Sequence, residues 1–316
     1  MSARISALAV LILAGTLGAQ TKKYAPPRTP DGQPDLQGVW TNVTITPLER
    51  PADLAGKEFF TPAEASQYEK DTVQNNNADR RDGGAQADLN RAYNDAWYDR
   101  GTKVVETLRT SLVIDPPDGR IPRKGQQPIG PPPGFGRPPE GPEDRSLPER
   151  CILWPTAGPP MMPSFYNNNY QIVQGPGYVI ILVEMIHDAR IIPLSGPLDP
   201  RPHVDSKIRE WLGDSRGHWE GNTLVVDTTN FNDKTRFQRS SQNMKLVERF
   251  TRTAPDTIMY EFTVDDPATF TKPWTAQIPM KKTEGPIIEY ACNEGNYAMT
   301  GILAGARADE KKAAGK

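Results

Sequence analysis

The chain has 316 residues, with 37 Lys and Arg against 39 Asp and Glu, 26 Gly, 32 Pro, two Cys and three His. A net charge of −2 without a basic stripe leaves no electrostatic footprint for nucleic acid. Proline runs at about twice its usual ~5% and is concentrated rather than spread, which excludes an all-helical protein and points to a long irregular segment beside a folded core.

Residues 1–19 carry one positive charge at Arg4, an apolar run from Ile5 to Leu17 and small residues before a cleavage point after Ala19. That is the layout of a secretory signal peptide, too short for a membrane span. No other stretch approaches the ~18–20 apolar residues a span needs, so the expectation is an exported protein, periplasmic or secreted. In an oxidising compartment Cys151 and Cys292 can form a single disulfide, and the other reading is two separate buried thiols. Neither cysteine has a second Cys or a His at zinc-ligand spacing.

Residues 20–37 read as an extended leader, 38–307 as a single β-rich domain and 308–316 as a charged disordered tail. Thr61-Pro62-Ala63-Glu64 places an N-cap, a first-turn Pro and an acid at the third helical position, which predicts a helix over about 62–73. Leu89, Ala92, Tyr93, Ala96 and Trp97 recur at i, i+3, i+4, i+7 and i+8, which predicts a second helix over about 86–100, ended by Gly101. Residues 116–163 hold 15 of the 32 prolines. Within them, 123–147 reads as a mobile loop of polyproline character, a spacer rather than a docking ligand.

From Lys103 onward the period is two. Strands are predicted at Gly38–Thr44, Ser111–Asp115, Tyr170–Gln174, Tyr178–Ile186, Arg190–Leu194, His218–Glu220, Thr223–Asp227, Lys245–Thr253, Thr257–Asp265, around Trp274–Met280 and at Ile287–Cys292. Gly175-Pro176-Gly177, Gly221-Asn222 and Ala254-Pro255-Asp256 are the reversals between them. Ile258, Tyr260, Phe262 and Val264 share one face, and Trp274, Ala276, Ile278 and Met280 repeat the pattern. The fold class is therefore mainly β: an antiparallel meander closing into a barrel or a strongly curled sheet, with two N-terminal helices and a Pro-rich loop.

Longer motifs carry a resemblance. Gln171-Ile172-Val173-Gln174, Glu184-Met185-Ile186-His187-Asp188-Ala189-Arg190-Ile191-Ile192, Trp211-Leu212-Gly213-Asp214-Ser215-Arg216-Gly217-His218-Trp219-Glu220-Gly221-Asn222, Glu261-Phe262-Thr263-Val264-Asp265-Asp266-Pro267 and Tyr290-Ala291-Cys292-Asn293-Glu294-Gly295-Asn296-Tyr297 resemble a family of exported bacterial proteins of uncharacterised function. The match covers roughly 90–120 and 150–307 and implies no activity. Asn293 departs from the family pattern, which has His there. More distantly, Gly38-x-Trp40 ahead of a strand meander is similar to lipocalins and related calycin barrels, which implies a lipocalin-like barrel.

Several constellations could carry chemistry. Gly213-Asp214-Ser215-Arg216-Gly217 matches G-x-S-x-G, but a strand rather than a helix follows and no His lies beyond His218, so the hydrolase elbow is not supported. If Asp214–Glu220 is extended, Asp214, Arg216, His218 and Glu220 share one face. Outward they form a solvated row; inward they line a pocket where pKa values diverge. Glu184, His187, Asp188 and Arg190 cluster at the exit of the very apolar Val179–Val183 run. In the pocket reading His187 or His218 shuttles the proton, Glu184 or Glu220 orients it or acts as base, and Arg190 or Arg216 holds an anionic group.

Tyr178, Trp211, Trp219 and Tyr260 are candidate ligand-lining aromatics, with core packing the alternative. His187, His203 and His218 fall within 32 residues, so a three-histidine metal site would need two hairpins and a loop to converge; otherwise His203 is a surface loop residue. Nucleotide, haem and EF-hand motifs are absent, so no cofactor is expected. The functional expectation is cofactor-independent acid–base chemistry on a small organic molecule by a lyase, isomerase or hydrolase. The alternatives are a lipocalin-like carrier and an envelope structural or interaction protein.

Overall fold

Strands β8 (Lys245–Ala254), β9 (Thr257–Asp265) and β10 (Trp274–Lys282) show how the sequence builds the sheet. Each alternates strictly, so that Leu246 and Phe250, then Ile258, Tyr260, Phe262 and Val264, then Trp274, Ala276, Ile278 and Met280 all turn to one face and are buried. The structure is a computed structural model and describes residues 24–90, 94–125, 138–196, 200–235 and 237–315. The expected signal peptide and the centre of the expected Pro-rich loop lie outside these residues.

Nine strands follow one path. They are β1 (Gly38–Thr41), β3 (Asn169–Gly175), β4 (Tyr178–Val183), β5 (Ala189–Pro193), β6 (Asp214–Glu220), β7 (Thr223–Thr229) and β8 to β10, in the order β5-β4-β3-β1-β10-β9-β8-β7-β6. A short β2 (Val113–Asp115) pairs with β10 off the path, and every named pairing is antiparallel. The two ends of the path, β5 and β6, come together through a bridge from Leu194 to Gly217 and a bond of 2.7 Å from the Ser195 amide to the Gly217 carbonyl.

Glycine keeps that seam tightly packed. A Cβ on residue 217 would stand 2.7 Å from Leu194 Cδ2 and 3.0 Å from Ile192 Cγ2, so those side chains would have to shift. The sheet thus curls into a nearly closed antiparallel barrel, which removes most of the exposed edge that an open sheet would present.

Large side chains fill the barrel. Trp40, Tyr170, Phe250, Tyr260, Phe262 and Trp274 are all fully buried. The Tyr260 ring lies 4.9 Å from Phe250 and 5.7 Å from Phe262, which meets Trp274 edge-on at 5.7 Å. Each fully buried apolar side chain of this size contributes roughly 1.5–3 kcal/mol.

The helices differ from expectation in instructive ways. Helix α1 (Pro62–Asn76) carries the expected capping box between Thr61 and Glu64 and runs three residues beyond the predicted end. The second predicted helix is broken into α2 (Gly84–Asn90) and a 3-10 turn at Asp95–Trp97. At the end of its predicted apolar stripe, Trp97 is 69% exposed. The Asp95 carboxylate instead accepts the Ala78 amide at 3.1 Å, tying the turn to the chain just past α1.

Of the disordered tail expected over 308–316, residues 308–313 instead continue α3 (Tyr297–Ala313), whose Ala, Leu, Met, Glu and Lys content favours helix, with Lys311 and Lys312 in the last turn complementing the helix dipole. Arg307 docks this helix by donating to the carbonyls of Pro139 and Glu140. Residues 287–292, expected as a last strand, form an irregular strap held by other means, described below.

Past β9, Asp266 organises the connection to β10. Its carboxylate accepts from Ser241 N (2.5 Å), Ser241 Oγ (3.0 Å), Thr269 Oγ1 (2.8 Å) and Ala268 N (3.1 Å). Burial pushes its pKa up, but these hydrogen bonds outweigh that and hold it below the usual aspartate value. The stabilisation is therefore complete above the unfolded value of about 3.9 and is lost as pH falls through the lower folded value. The Tm gap between wild type and Asp266→Asn should stay constant at neutral pH and shrink in acid; a gap that widens in acid would refute this sign.

Candidate functional site

The outer face of β6 to β9 carries a groove of about 500 Å³. Alternation on β6 sends Ser215 and Gly217 inward and Asp214, Arg216, His218 and Glu220 outward, so the charged row faces out of the barrel. Strand register extends it across the sheet: Arg216 stands opposite Asp227, Asp227 opposite Val247, and Val247 opposite Thr263. One outward position along, Lys245 stands opposite Asp265. Ser195 and the segment Arg201-Pro202-His203 complete the groove as a wall over the β5–β6 seam.

That wall turns a solvated row into a built site. His203 Nδ1 lies 2.7 Å from Asp214 Oδ2, which also accepts the Val204 amide at 3.1 Å. The other oxygen, Oδ1, pairs with Arg216 Nη1 at 2.6 Å, and Arg216 Nε donates to the Pro202 carbonyl at 2.9 Å. Asp214 is thus enclosed, its side chain 7% exposed, while His203 remains 30% exposed on the groove.

An ionised carboxylate only accepts hydrogen bonds, so Nδ1 must donate and neutral His203 carries its proton there. This leaves Nε2 as an acceptor with no hydrogen bond among the described residues. His218 lines the same groove: its Nε2 is 3.2 Å from Glu220 Oε1 and its Nδ1 4.0 Å from Asp227 Oδ2. The Arg249 hydrogen bond, followed by that of His218, lowers the pKa of the exposed Glu220.

The other expected cluster is divided. Arg190 points into the barrel, where Nη1 and Nη2 hold Glu248 at 3.1 and 2.5 Å and Nη2 also reaches Ser215 Oγ at 3.2 Å. Ser215 Oγ bonds Thr228 Oγ1 at 2.9 Å, and the Tyr260 hydroxyl donates to Glu248 Oε1 at 2.8 Å while accepting the Met161 amide at 3.0 Å. Burial first, then the Glu248 charge, raises the Tyr260 pKa well above the ordinary phenol value. This cluster ties β5, β6, β7, β8 and β9 together from inside.

Glu184 serves the strap instead. Buried just after β4, it accepts the Ile288 amide on Oε1 (3.1 Å) and Asn169 N and Nδ2 on Oε2 (3.3 and 2.9 Å). Cys292, further along the strap, is disulfide-bonded to Cys151. Glu184→Gln turns an NH₂ toward one of these donors, and the unmade bond should cost roughly 1–3 kcal/mol and speed amide exchange at Ile288. Exchange at wild-type rate would show that the carboxylate does not anchor the strap.

Asp188 accepts the Val183 amide on its backbone carbonyl at 2.8 Å, and His187 closes the 3-10 turn Met185–His187, its side chain outside the described part. Among the candidate aromatics, Tyr260 is core and Trp219 is half-buried against it. Trp211 is exposed and does not line the groove. Tyr178 is exposed beneath Arg201, whose guanidinium carbon stands 4.8 Å from its ring centre. Sequence reasoning missed Glu248, although an acid between Leu246 and Phe250 on an inward face was the signal to find it.

Among the described residues no group of three or more His, Cys, Asp or Glu is placed to hold a metal ion, and no helix is long and apolar enough to cross a membrane. No family model and no curated protein matches the chain. The nearly closed barrel is compatible with the distant likeness to calycin barrels.

Proposed function

We propose that the protein is an exported acid–base enzyme that acts on a small organic molecule in the groove over β6 to β9. The observation that carries this reading is the 2.7 Å pair between His203 and Asp214 on the wall of that groove. Asp214 fixes the tautomer and stabilises the imidazolium that forms when Nε2 takes a proton from substrate or from water. His218 lies four residues along β6 from Asp214, about 13 Å at 3.3 Å per residue. It therefore serves a different atom of the substrate, as proton donor to a leaving or rearranging group. Lyase, isomerase and hydrolase chemistry all fit this pair.

Export is supported by the signal-peptide layout and by the disulfide, and the longer motifs support membership of the uncharacterised exported family. The groove is favoured over the barrel interior because the interior is occupied by the aromatic core and the Arg190–Glu248 pair. The test is turnover of a panel of small esters, lactones, phosphoesters and β-hydroxy acids. His203→Asn should lower kcat by roughly 10²–10⁴-fold with Tm nearly unchanged, and Asp214→Asn should lower it too. Wild-type turnover by His203→Asn, or no turnover of any panel member, would overturn the reading.

A further inference from the structure

The groove's charges are not all spent on one another. Asp214 neutralises Arg216 at 2.6 Å. Among the described residues Asp227 has one ion-pair contact, His218, with Nδ1 at 4.0 Å. Lys245 and Asp265 stand opposite each other on β8 and β9, yet neither makes an ion pair or side-chain hydrogen bond among the described residues.

Register fixes the spacing of the two signs. Because Asp227 pairs with Val247, it is the diagonal neighbour of Lys245, about 7–8 Å away between Cα atoms. A dianion spanning these two positions would meet Asp227, and a diamine would meet Lys245. A molecule with a carboxylate at one end and an ammonium at the other meets unlike charge at both ends. The hydroxyl-bearing Thr229 and Thr263 add polar lining, and the volume is in the range of small-molecule sites.

We infer that the groove binds a zwitterion of the amino acid or short-peptide class, its carboxylate toward Lys245 and its ammonium toward Asp227. This rests on the proposed function only for the identity of the site. The probe is alanylalanine, compared with its N-acetyl form, its C-terminal amide and the doubly capped molecule, titrated into the mature ¹⁵N-labelled protein.

Free alanylalanine should shift the amides of Thr229, Lys245, Val247 and Thr263, and each single cap should weaken binding at least about tenfold. Lys245→Ala should bring the free dipeptide down to the affinity of its amide and abolish the effect of that cap. Equal binding of free and doubly capped forms, or unmoved groove amides, would overturn the inference. The two readings fail separately: a lost cap effect with His203-dependent turnover intact sinks only the ligand class. A cap effect retained in a protein whose turnover ignores His203→Asn sinks only the catalytic reading.

Discussion

Glu248→Ala should destabilise the protein by roughly 3–5 kcal/mol, the cost of stranding one member of a buried ion pair. At the usual sensitivity of a chain this size that is a fall in Tm of about 5–8 °C. Glu248 is 0% exposed and receives three hydrogen bonds, two from Arg190 and one from Tyr260. Its loss leaves a guanidinium inside the barrel with Ser215 as its remaining side-chain partner. Replacing both members, as in Arg190→Met with Glu248→Leu, should cost far less, because the desolvation of two charges disappears together with their attraction. Urea denaturation of the two single variants and the double variant measures this. A double variant as unstable as Glu248→Ala would show that the pair itself, rather than the stranded charge, governs stability.

Removing the disulfide should have an effect of similar size. Cys151 and Cys292 are 141 residues apart, and chain-entropy reasoning puts the stabilisation from closing such a loop at about 5 kcal/mol. The link also has local work, because it fixes the strap and α3 against the segment ending in Glu149, whose carbonyl accepts Asn296 Nδ2 at 3.1 Å. Cys151→Ser with Cys292→Ser should therefore lower global stability and, before global unfolding, release amide protection across residues 286–313. Identical urea midpoints for the oxidised protein and the double variant would contradict the argument. Protection lost everywhere at once would show that the strap is not an independently opening unit.

Much of the barrel could be read from alternation alone. Tyr260, Phe262 and Trp274 declare their inward face because period two leaves no other surface for them, and Gly221-Asn222 marks its reversal through residue chemistry. What alternation cannot say is which distant element covers an outward face. The row from Asp214 to Glu220 had two readings, and neither anticipated a row that faces outward and is still enclosed at one end. His203 does this from a loop eleven residues away, closing over Asp214 because the barrel seam brings β5 beside β6.

The same limit explains Glu184 and Arg190. Six residues apart in sequence, they looked like one cluster, but the 3-10 turn at Met185–His187, with Ile186 at φ 61°, separates them. One carboxylate was thereby assigned to the strap and one guanidinium to the interior. The second predicted helix is interrupted at Asn94, whose backbone is extended, and Trp97 beyond it lies exposed, because periodicity reports a stripe without saying what covers it.

In the proposed function Asp214 holds His203 as a base with its acceptor nitrogen on the groove. Long-range ¹H–¹⁵N correlation of the imidazole nitrogens, recorded as a pH series on the mature protein, tests it most directly. Neutral His203 should show a protonated Nδ1 and an unprotonated Nε2, and Asp214→Asn should abolish that preference. A His203 protonated on Nε2 in the wild type, or a tautomer indifferent to Asp214→Asn, would contradict it.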